Sequence, residues 1–321
     1  MHKILSSKKA IVTGASGKIG TELVKKLVSK GVQVYAVSSK NSFSKLEGVT
    51  FIPHKWGTPF MWNLPEIDVI FHLASQTSAY IARQDVSQDI RDNLLTTVSL
   101  LEAVAKLKSP PVFIFAGSMT EYGMGSLLNI DETFQIDPQT FYDIAKLCSK
   151  MYIKQFAKEK TISKGITLRL SNVYGSAKIG GKIDRGFIDK SIIRSLSGKP
   201  LAIYGNGMYA RDYIHISDVV DAFIMAFQKS ENLLQDTYNI GTGISTSVSS
   251  ALNIIVSTVY KINGVRSPII FEDFPSVSYP IEERNSIADS SKFIKATGWK
   301  PGVLFVDGIE ETVKRLDSGL A

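Results

Sequence analysis

Only one cysteine, Cys148, occurs in the 321 residues of the chain. Without a second thiol there is no intrachain disulfide and no cysteine-built metal cluster, and this usage suits a reducing, cytoplasmic compartment. Cys148 lies two residues past Lys146 in the same helical pattern, where packing is expected ahead of reactivity. Histidines are few, and His2, His54, His72 and His215 show no metal-ligand spacing. No metal is expected, and all four are assigned structural roles. Apolar runs long enough for a membrane span are missing, as is a secretory hydrophobic region at the start, so no membrane association is expected. Dense basic runs interleaved with aromatics are lacking too. The net charge of +7 is scattered over lysines such as Lys8, Lys9, Lys25, Lys26, Lys154, Lys158 and Lys160. That scatter argues against nucleic acid and leaves room for an anionic small substrate.

What is present has the balance of a globular protein with a large core, at 44% hydrophobic and 21% charged residues. Ala10-Ile11-Val12 is a short buried-strand run. It leads into Thr13-Gly14-Ala15-Ser16-Gly17-Lys18-Ile19-Gly20 and then a helical pattern through Leu23, Leu27 and Val28 that stops at Gly31. Strand, glycine turn and helix in that order form a dinucleotide-binding context. Gly14 permits the tight turn, Gly17 lets backbone approach a pyrophosphate, and Gly20 lets the helix pack closely on the sheet. The helix N-terminus, at Lys18 and Ile19, then offers free N–H groups to the anion.

The second strand, Val32 to Val37, ends in Ser38-Ser39-Lys40. An NAD site usually places an acid there to hold the ribose hydroxyls. Two hydroxyls and a cation suit a 2′-phosphate instead, with Lys18 as a second cation, so NADP(H) is favoured and NAD is the alternative. Further strands are expected at Val49–Ile52, Asp68–Ser75, Val112–Ala116 and Ile166–Leu170. The small Ala74 and Ser75, after Leu73, leave room for a flat cofactor. Helices are expected at Val86–Leu107, from Tyr142 to Lys158, and at Val306–Leu316. Alternating strands and helices give an α/β fold, a Rossmann-type doubly wound parallel sheet with right-handed crossovers. Past residue 175 the elements shorten and loops thicken. Residues 1–175 are therefore read as the NAD(P)-binding domain, with later segments returning to it, and 176–321 mainly as a smaller α/β substrate-binding lobe. No internal repeat, low-complexity tract or long linker interrupts the chain.

Tyr142 and Lys146 are four residues apart, on one face of a helix. A phenol keeps its proton to about pH 10; a nearby ammonium is expected to lower that and let Tyr142 exchange protons near neutrality. Ser118 adds a hydroxyl beside the same reacting oxygen.

In this order, several motifs resemble the extended short-chain dehydrogenase/reductases that act on nucleotide sugars, the epimerase, dehydratase and reductase group. They are the glycine turn, His72-Leu73-Ala74, Ser118 with Tyr122-Gly123, Tyr142-x-x-x-Lys146, and Asn172-Val173-Tyr174-Gly175. Further along come Tyr204-Gly205-x-Gly207-x-x-x-Arg211-Asp212-Tyr213-x-His215, Tyr238-Asn239-Ile240-Gly241, Ala288-Asp289-x-Ser291-Lys292 and Gly298-Trp299-x-Pro301. The resemblance implies Tyr142 as general acid/base, Lys146 on the nicotinamide ribose, and Ser118 hydrogen-bonded to the reacting sugar oxygen. It also implies Asn172, Arg211 and Arg284 at a nucleotide-sugar diphosphate, with Ile203 and Tyr204 near the base. A guanidinium fork matches phosphate oxygens in two-point contacts.

Departures matter as well. The group's dehydratases carry Asp and Glu directly after the hydroxyl residue; here Met119 and Thr120 stand there, which argues against a dehydratase. The acid common after the third strand is replaced by His54-Lys55-Trp56-Gly57, and Lys18 takes the place of the more usual phenylalanine. On this reading a 4-keto-6-deoxyhexose nucleotide reductase leads. A 4-epimerase with retained NAD is the alternative, and a non-catalytic dinucleotide sensor stands third. The resemblance further implies a homodimer through the Val86–Leu107 and Tyr142–Lys158 helices. Leu94, Val98, Leu101 and Val104 suit that interface and suit packing on the sheet equally.

Overall fold

The computed structural model describes residues 5–40, 43, 46–60, 65–124, 129–176, 186–234, 236–276 and 278–319. Seven strands form the central sheet: β1 (Lys9–Thr13), β2 (Gln33–Ser38), β3 (Val49–Pro53), β4 (Val69–His72), β5 (Val112–Ser118), β6 (Lys164–Leu170) and β7 (Thr237–Ile240). Their order is β7-β6-β5-β4-β1-β2-β3, and every pairing is parallel. The order reverses between β1 and β4. A crevice opens at the carboxyl ends of strands where such a reversal occurs, and there the glycine turn and the loop after β4 meet.

The strands are apolar on both faces, as a parallel sheet covered by helices requires. Along β1, Ala10 and Val12 face the helices α1 (Lys18–Ser29) and α5 (Ile216–Gln228), joining Leu23, Leu27, Val219 and Phe223. Ile11 faces the other way, toward α2 (Thr96–Val104) and α3 (Phe141–Lys158), with Leu100, Leu101, Val104 and Ile153. Leu101 and Val104 thus serve the sheet, while Leu94 and Val98 are half-buried. A separate core joins α4 (Phe187–Leu196), α6 (Val248–Asn263) and α7 (Phe305–Asp317) to the strand Leu201–Tyr204, through Ile192, Ile203, Ile255 and Val313. That strand pairs in parallel with Ile269–Glu272.

Two expectations change. The strand expected over Asp68–Ser75 ends at His72, so Leu73, Ala74 and Ser75 belong to the crevice loop. The single helix expected over Val86–Leu107 is broken into an α-turn at Val86–Asp89, a π-helical stretch at Ile90–Leu95, and α2. The wider turn has a local cause in polar side chains that take backbone and neighbouring partners. Thr96 Oγ1 donates to the Arg91 carbonyl at 2.9 Å, Asn93 Nδ2 to Asp89 Oδ1 at 2.7 Å, and Ser75 Oγ to Asn93 Oδ1 at 2.6 Å. Asp89 and Asn93 are thereby buried behind the crevice.

Candidate active site

Gly14 has φ +66°, and a Cβ there would lie 2.7 Å from the Ala74 backbone nitrogen; at Gly20 it would lie 2.2 Å from the Gly14 carbonyl oxygen. Only glycine lets these segments approach so closely. The first turn of α1 has no acidic residue and no side-chain cap on its N–H groups. This is the donor arrangement a diphosphate needs. The residues present therefore fit a dinucleotide.

A cavity of about 340 Å³ extends from this cradle. Gly14, Gly17, Lys18, Ile19, Gly20, Leu73 and Ser75 line its near side, and Ser118, Tyr142 and Lys146 its far side. Ala74 is buried behind it, its N–H donating to Thr13 Oγ1 at 3.2 Å. A second cavity of about 580 Å³ adjoins the first, and Tyr142 and Asn172 line both. Its wall includes Thr120, Asp143, Tyr204, Arg211, Phe274 and Arg284. Tyr142 thus stands at the junction.

Ser118 closes β5 and caps the 3₁₀ turn Met119–Tyr122. Its N–H donates to Glu121 Oε1 at 3.1 Å and its Oγ accepts the Thr120 N–H at 3.2 Å. Glu121 is fully buried and paired with Arg169, whose Nε donates to Glu121 Oε2 at 2.9 Å and whose Nη1 donates to Tyr122 Oη at 2.7 Å. Thr140 caps α3 reciprocally with Asp143: Thr140 Oγ1 accepts the Asp143 N–H at 3.2 Å, and Asp143 Oδ2 accepts the Thr140 N–H at 3.1 Å. The Thr-x-x-Asp spacing signals this cap in the sequence. The electrostatic effect of Glu121 and Asp89 on Tyr142 and Lys146 carries no comparable signal.

The electrostatics correct one expectation. Lys146 Nζ donates to the Ala116 carbonyl at 2.9 Å and lies 5.9 Å from the centre of the Tyr142 ring. Burial lowers Lys146 to about 8, against the pull of Glu121 and Asp89. Tyr142 is raised rather than lowered, by burial first and then by the Asp143, Glu121 and Asp89 carboxylates; its hydrogen bond with Ser118 offsets only part of this. The Tyr142–Lys146 spacing does bring both residues to the cavity, but β5 holds the ammonium and the Asp143, Glu121 and Asp89 charges disfavour the phenolate.

At the end of β2, Ser38 is buried and its Oγ donates to the Lys40 carbonyl at 2.5 Å, while Ser39 and Lys40 are exposed. Lys18 Nζ lies 2.6 Å from Asp189 Oδ2, facing α4 rather than β2. Ile203 is fully buried, and the neighbouring Tyr204 lies 5.9 Å from Phe274, ring centre to ring centre. Arg211 is buried; its Nη2 donates to the Glu282 carbonyl at 2.6 Å and its Nη1 to the Arg284 carbonyl. Arg284 Nη1 donates to the Ile281 carbonyl at 2.7 Å, and its enclosed Nε has no partner among the described residues. Burial lowers Arg211 to about 10 and lowers Arg284 as well. Among the described residues neither guanidinium has a carboxylate at ion-pair distance. Two cations held by carbonyls beside a cavity suit an anion.

A family profile described as the NAD dependent epimerase/dehydratase family matches residues 10–241. The crystal structure of a UDP-glucose 4-epimerase from Thermotoga maritima, with UDP-glucose, superposes with a TM-score of 0.85 at 29% identity, covering 98% of this chain and 100% of that one. A UDP-glucuronic acid 4-epimerase from Bacillus cereus, in complex with UDP-glucuronic acid and NAD, gives 0.82 at 25% identity, with 98% and 100% covered. A dTDP-4-dehydro-6-deoxyglucose reductase of Escherichia coli is 26% identical over 95% of this chain and 97% of its own length. The chain belongs to the NAD-dependent epimerase/dehydratase family, enzymes of the extended short-chain dehydrogenase/reductase type.

Proposed function

We propose that the protein is a nucleotide-sugar 4-epimerase that retains NAD. The observation that carries this reading is the position of Tyr142, at the junction between a dinucleotide cradle and a cavity walled by the buried Arg211 and the half-buried Arg284, neither with a carboxylate partner among the described residues. The bound dinucleotide would supply the hydride acceptor and donor. Tyr142 would exchange the proton of the C4 hydroxyl, Ser118 would contact the same oxygen, and Lys146 would hold the nicotinamide ribose. Asn172, Arg211 and Arg284 would bind the diphosphate, and Tyr204 would flank the base. Cofactor binding falls to residues 1–175 on this reading, and the sugar nucleotide mainly to 176–321.

The order of the two enzyme readings reverses from the one expected from sequence. The set expected at a 2′-phosphate shrinks, because Ser38 bonds the Lys40 carbonyl and Lys18 pairs with Asp189. The exposed Ser39 and Lys40, with no acid at that strand end, keep an NADPH-dependent 4-keto-6-deoxyhexose nucleotide reductase as the second reading. Denaturing freshly purified protein and identifying the released dinucleotide separates them. Near-stoichiometric NAD is expected. NADP(H), or no retained dinucleotide with tighter binding of NADPH than NADH, would favour the reductase. Failure to bind either would remove the catalytic assignment.

A homodimer is part of the proposal. Ile90, Leu95, Phe141, Ile144, Met151 and Tyr152 are exposed on the π-helical stretch and α3, an apolar set that a second copy would cover. Light scattering should give the dimer mass; a monomer would refute it. Among the described residues no helix is long and apolar enough to cross a membrane. With one cysteine and a nucleotide substrate, we place the enzyme in the cytoplasm.

A further inference from the structure

Lys18 opens α1, the helix whose N-terminus forms the dinucleotide cradle, and its ammonium lies 2.6 Å from Asp189 Oδ2. Asp189 is 171 residues further along the chain, in the first turn of α4. Lys18, Gly186, Phe187 and Asp189 all line the first cavity, and Gly186 and Phe187 line the second as well. The ion pair therefore ties the glycine turn to a helix that walls both binding spaces.

Its two partners are held unequally. The Asp189 side chain is 2% exposed, and its other oxygen, Oδ1, accepts the Gly175 N–H at 2.9 Å. Gly175 is itself confined: its φ is +98°, and a Cβ there would lie 2.3 Å from His215 Nε2. Gly186 closes on the pair from the α4 side, where a Cβ would lie 3.1 Å from Lys18 Nζ and 3.4 Å from Asp189 Oδ2. Lys18, by contrast, is 27% exposed and carries its charge on a flexible four-carbon stem. A buried carboxylate deprived of its cation is costly, so the joined arrangement is favoured. The lysine is the half that can swing away into water.

We infer that the Lys18–Asp189 ion pair is a clasp on the dinucleotide site, holding the first turn of α4 against the glycine turn and opening for a dinucleotide to enter or leave. The clasp deepens the proposed reading, in which NAD stays bound through successive turnovers, and it requires only that a dinucleotide occupy the first cavity. A gate crossed in both directions sets the speed of exchange and leaves equilibrium affinity unchanged. A side chain that bonds the dinucleotide directly behaves otherwise, since its loss weakens affinity and acts mainly on release.

The test uses the whole protein and NADH or NADPH, whichever it binds more tightly, followed by dinucleotide fluorescence in stopped flow. Release is read by displacement with excess oxidised dinucleotide, and entry by mixing with protein freed of dinucleotide. Lys18→Met and Asp189→Asn, the latter keeping an acceptor for the Gly175 N–H, should each speed entry and release together. The expected gain is roughly 10- to 100-fold, the scale of a partly buried ion pair, with Kd unchanged. The double variant should match the faster single one, because either change opens the same clasp. Wild-type exchange rates in both variants, or additive effects in the double variant, would overturn the clasp and leave the dinucleotide site in place. Faster release with unchanged entry and a weakened Kd would also overturn it, making Lys18 a direct ligand. A wild-type protein that binds neither dinucleotide would instead overturn the proposed function, and the clasp with it.

Discussion

Replacing Tyr142 with phenylalanine is expected to lower kcat by about 10²- to 10⁴-fold, the range of a lost general acid–base group, while retained dinucleotide stays at the wild-type level. The two effects separate because of what surrounds the ring. Only the hydroxyl is removed, and the ring keeps its place between the two cavities. Lys146 does not depend on the phenol, since its ammonium is bonded to the Ala116 carbonyl and lies 4.6 Å from the centre of the Phe115 ring. The glycine cradle is more distant still in sequence and is shaped by backbone contacts at Gly14 and Gly20. Stability should hold, because the phenol is neutral in both the folded and the unfolded chain at neutral pH and its pKa shift adds nothing there. Turnover and released dinucleotide, measured on the same preparation, decide the matter. Undiminished turnover would remove Tyr142 from the chemistry.

The parts of this site that were legible in sequence are those whose cause is local. The glycine turn follows a strand and opens a helix within a dozen residues, so its geometry is written in one segment. The i, i+4 spacing of Tyr142 and Lys146 likewise brings both to one cavity. Their electrostatics were only partly legible: Asp143, the largest charge acting on Tyr142, is its neighbour in sequence, but Glu121 comes from the turn after β5, Asp89 from before the π-helical stretch, and a carbonyl from β5 itself. Lys18 shows the same limit. Its partner Asp189 is 171 residues away, and the sequence around the glycine turn points equally well toward the end of β2. Phase mattered on the helix before β5, where the π-helical stretch turned Leu101 and Val104 onto the sheet and left Ile90 and Leu95 outside. A strict 3.6-residue period cannot place a π turn. The arginines are intermediate: their place in the motif order located Arg211 and Arg284, but only folding reveals that both lack carboxylate partners among the described residues.

Lys146→Met is expected to trade function for stability. In the native protein Lys146 is 3% exposed, and burial lowers it from 10.5 to about 8. The sign follows from proton counting. Between about pH 8 and 10.5 the unfolded chain binds a proton that the folded chain has released, so wild-type stability gains with rising pH across that window. Below pH 8 both states are protonated and the folded state carries the whole cost of the buried charge, on the order of 3 kcal/mol at about 1.36 kcal/mol per unit. Methionine removes that cost and fills similar volume, but leaves the Ala116 carbonyl without its donor, a loss of about 1 kcal/mol. The variant freed of dinucleotide should therefore be about 2 kcal/mol more stable than the equally treated wild type at neutral pH. The margin should shrink as pH rises toward 10.5. Denaturant unfolding at several pH values measures both. Turnover should be lost in the same variant, because the donor proposed for the nicotinamide ribose is gone, the usual conflict between a site's charge and the fold that holds it. A variant less stable at neutral pH, with a pH-independent difference, would mean that Lys146 is part of the fold's support and not a charge held against it.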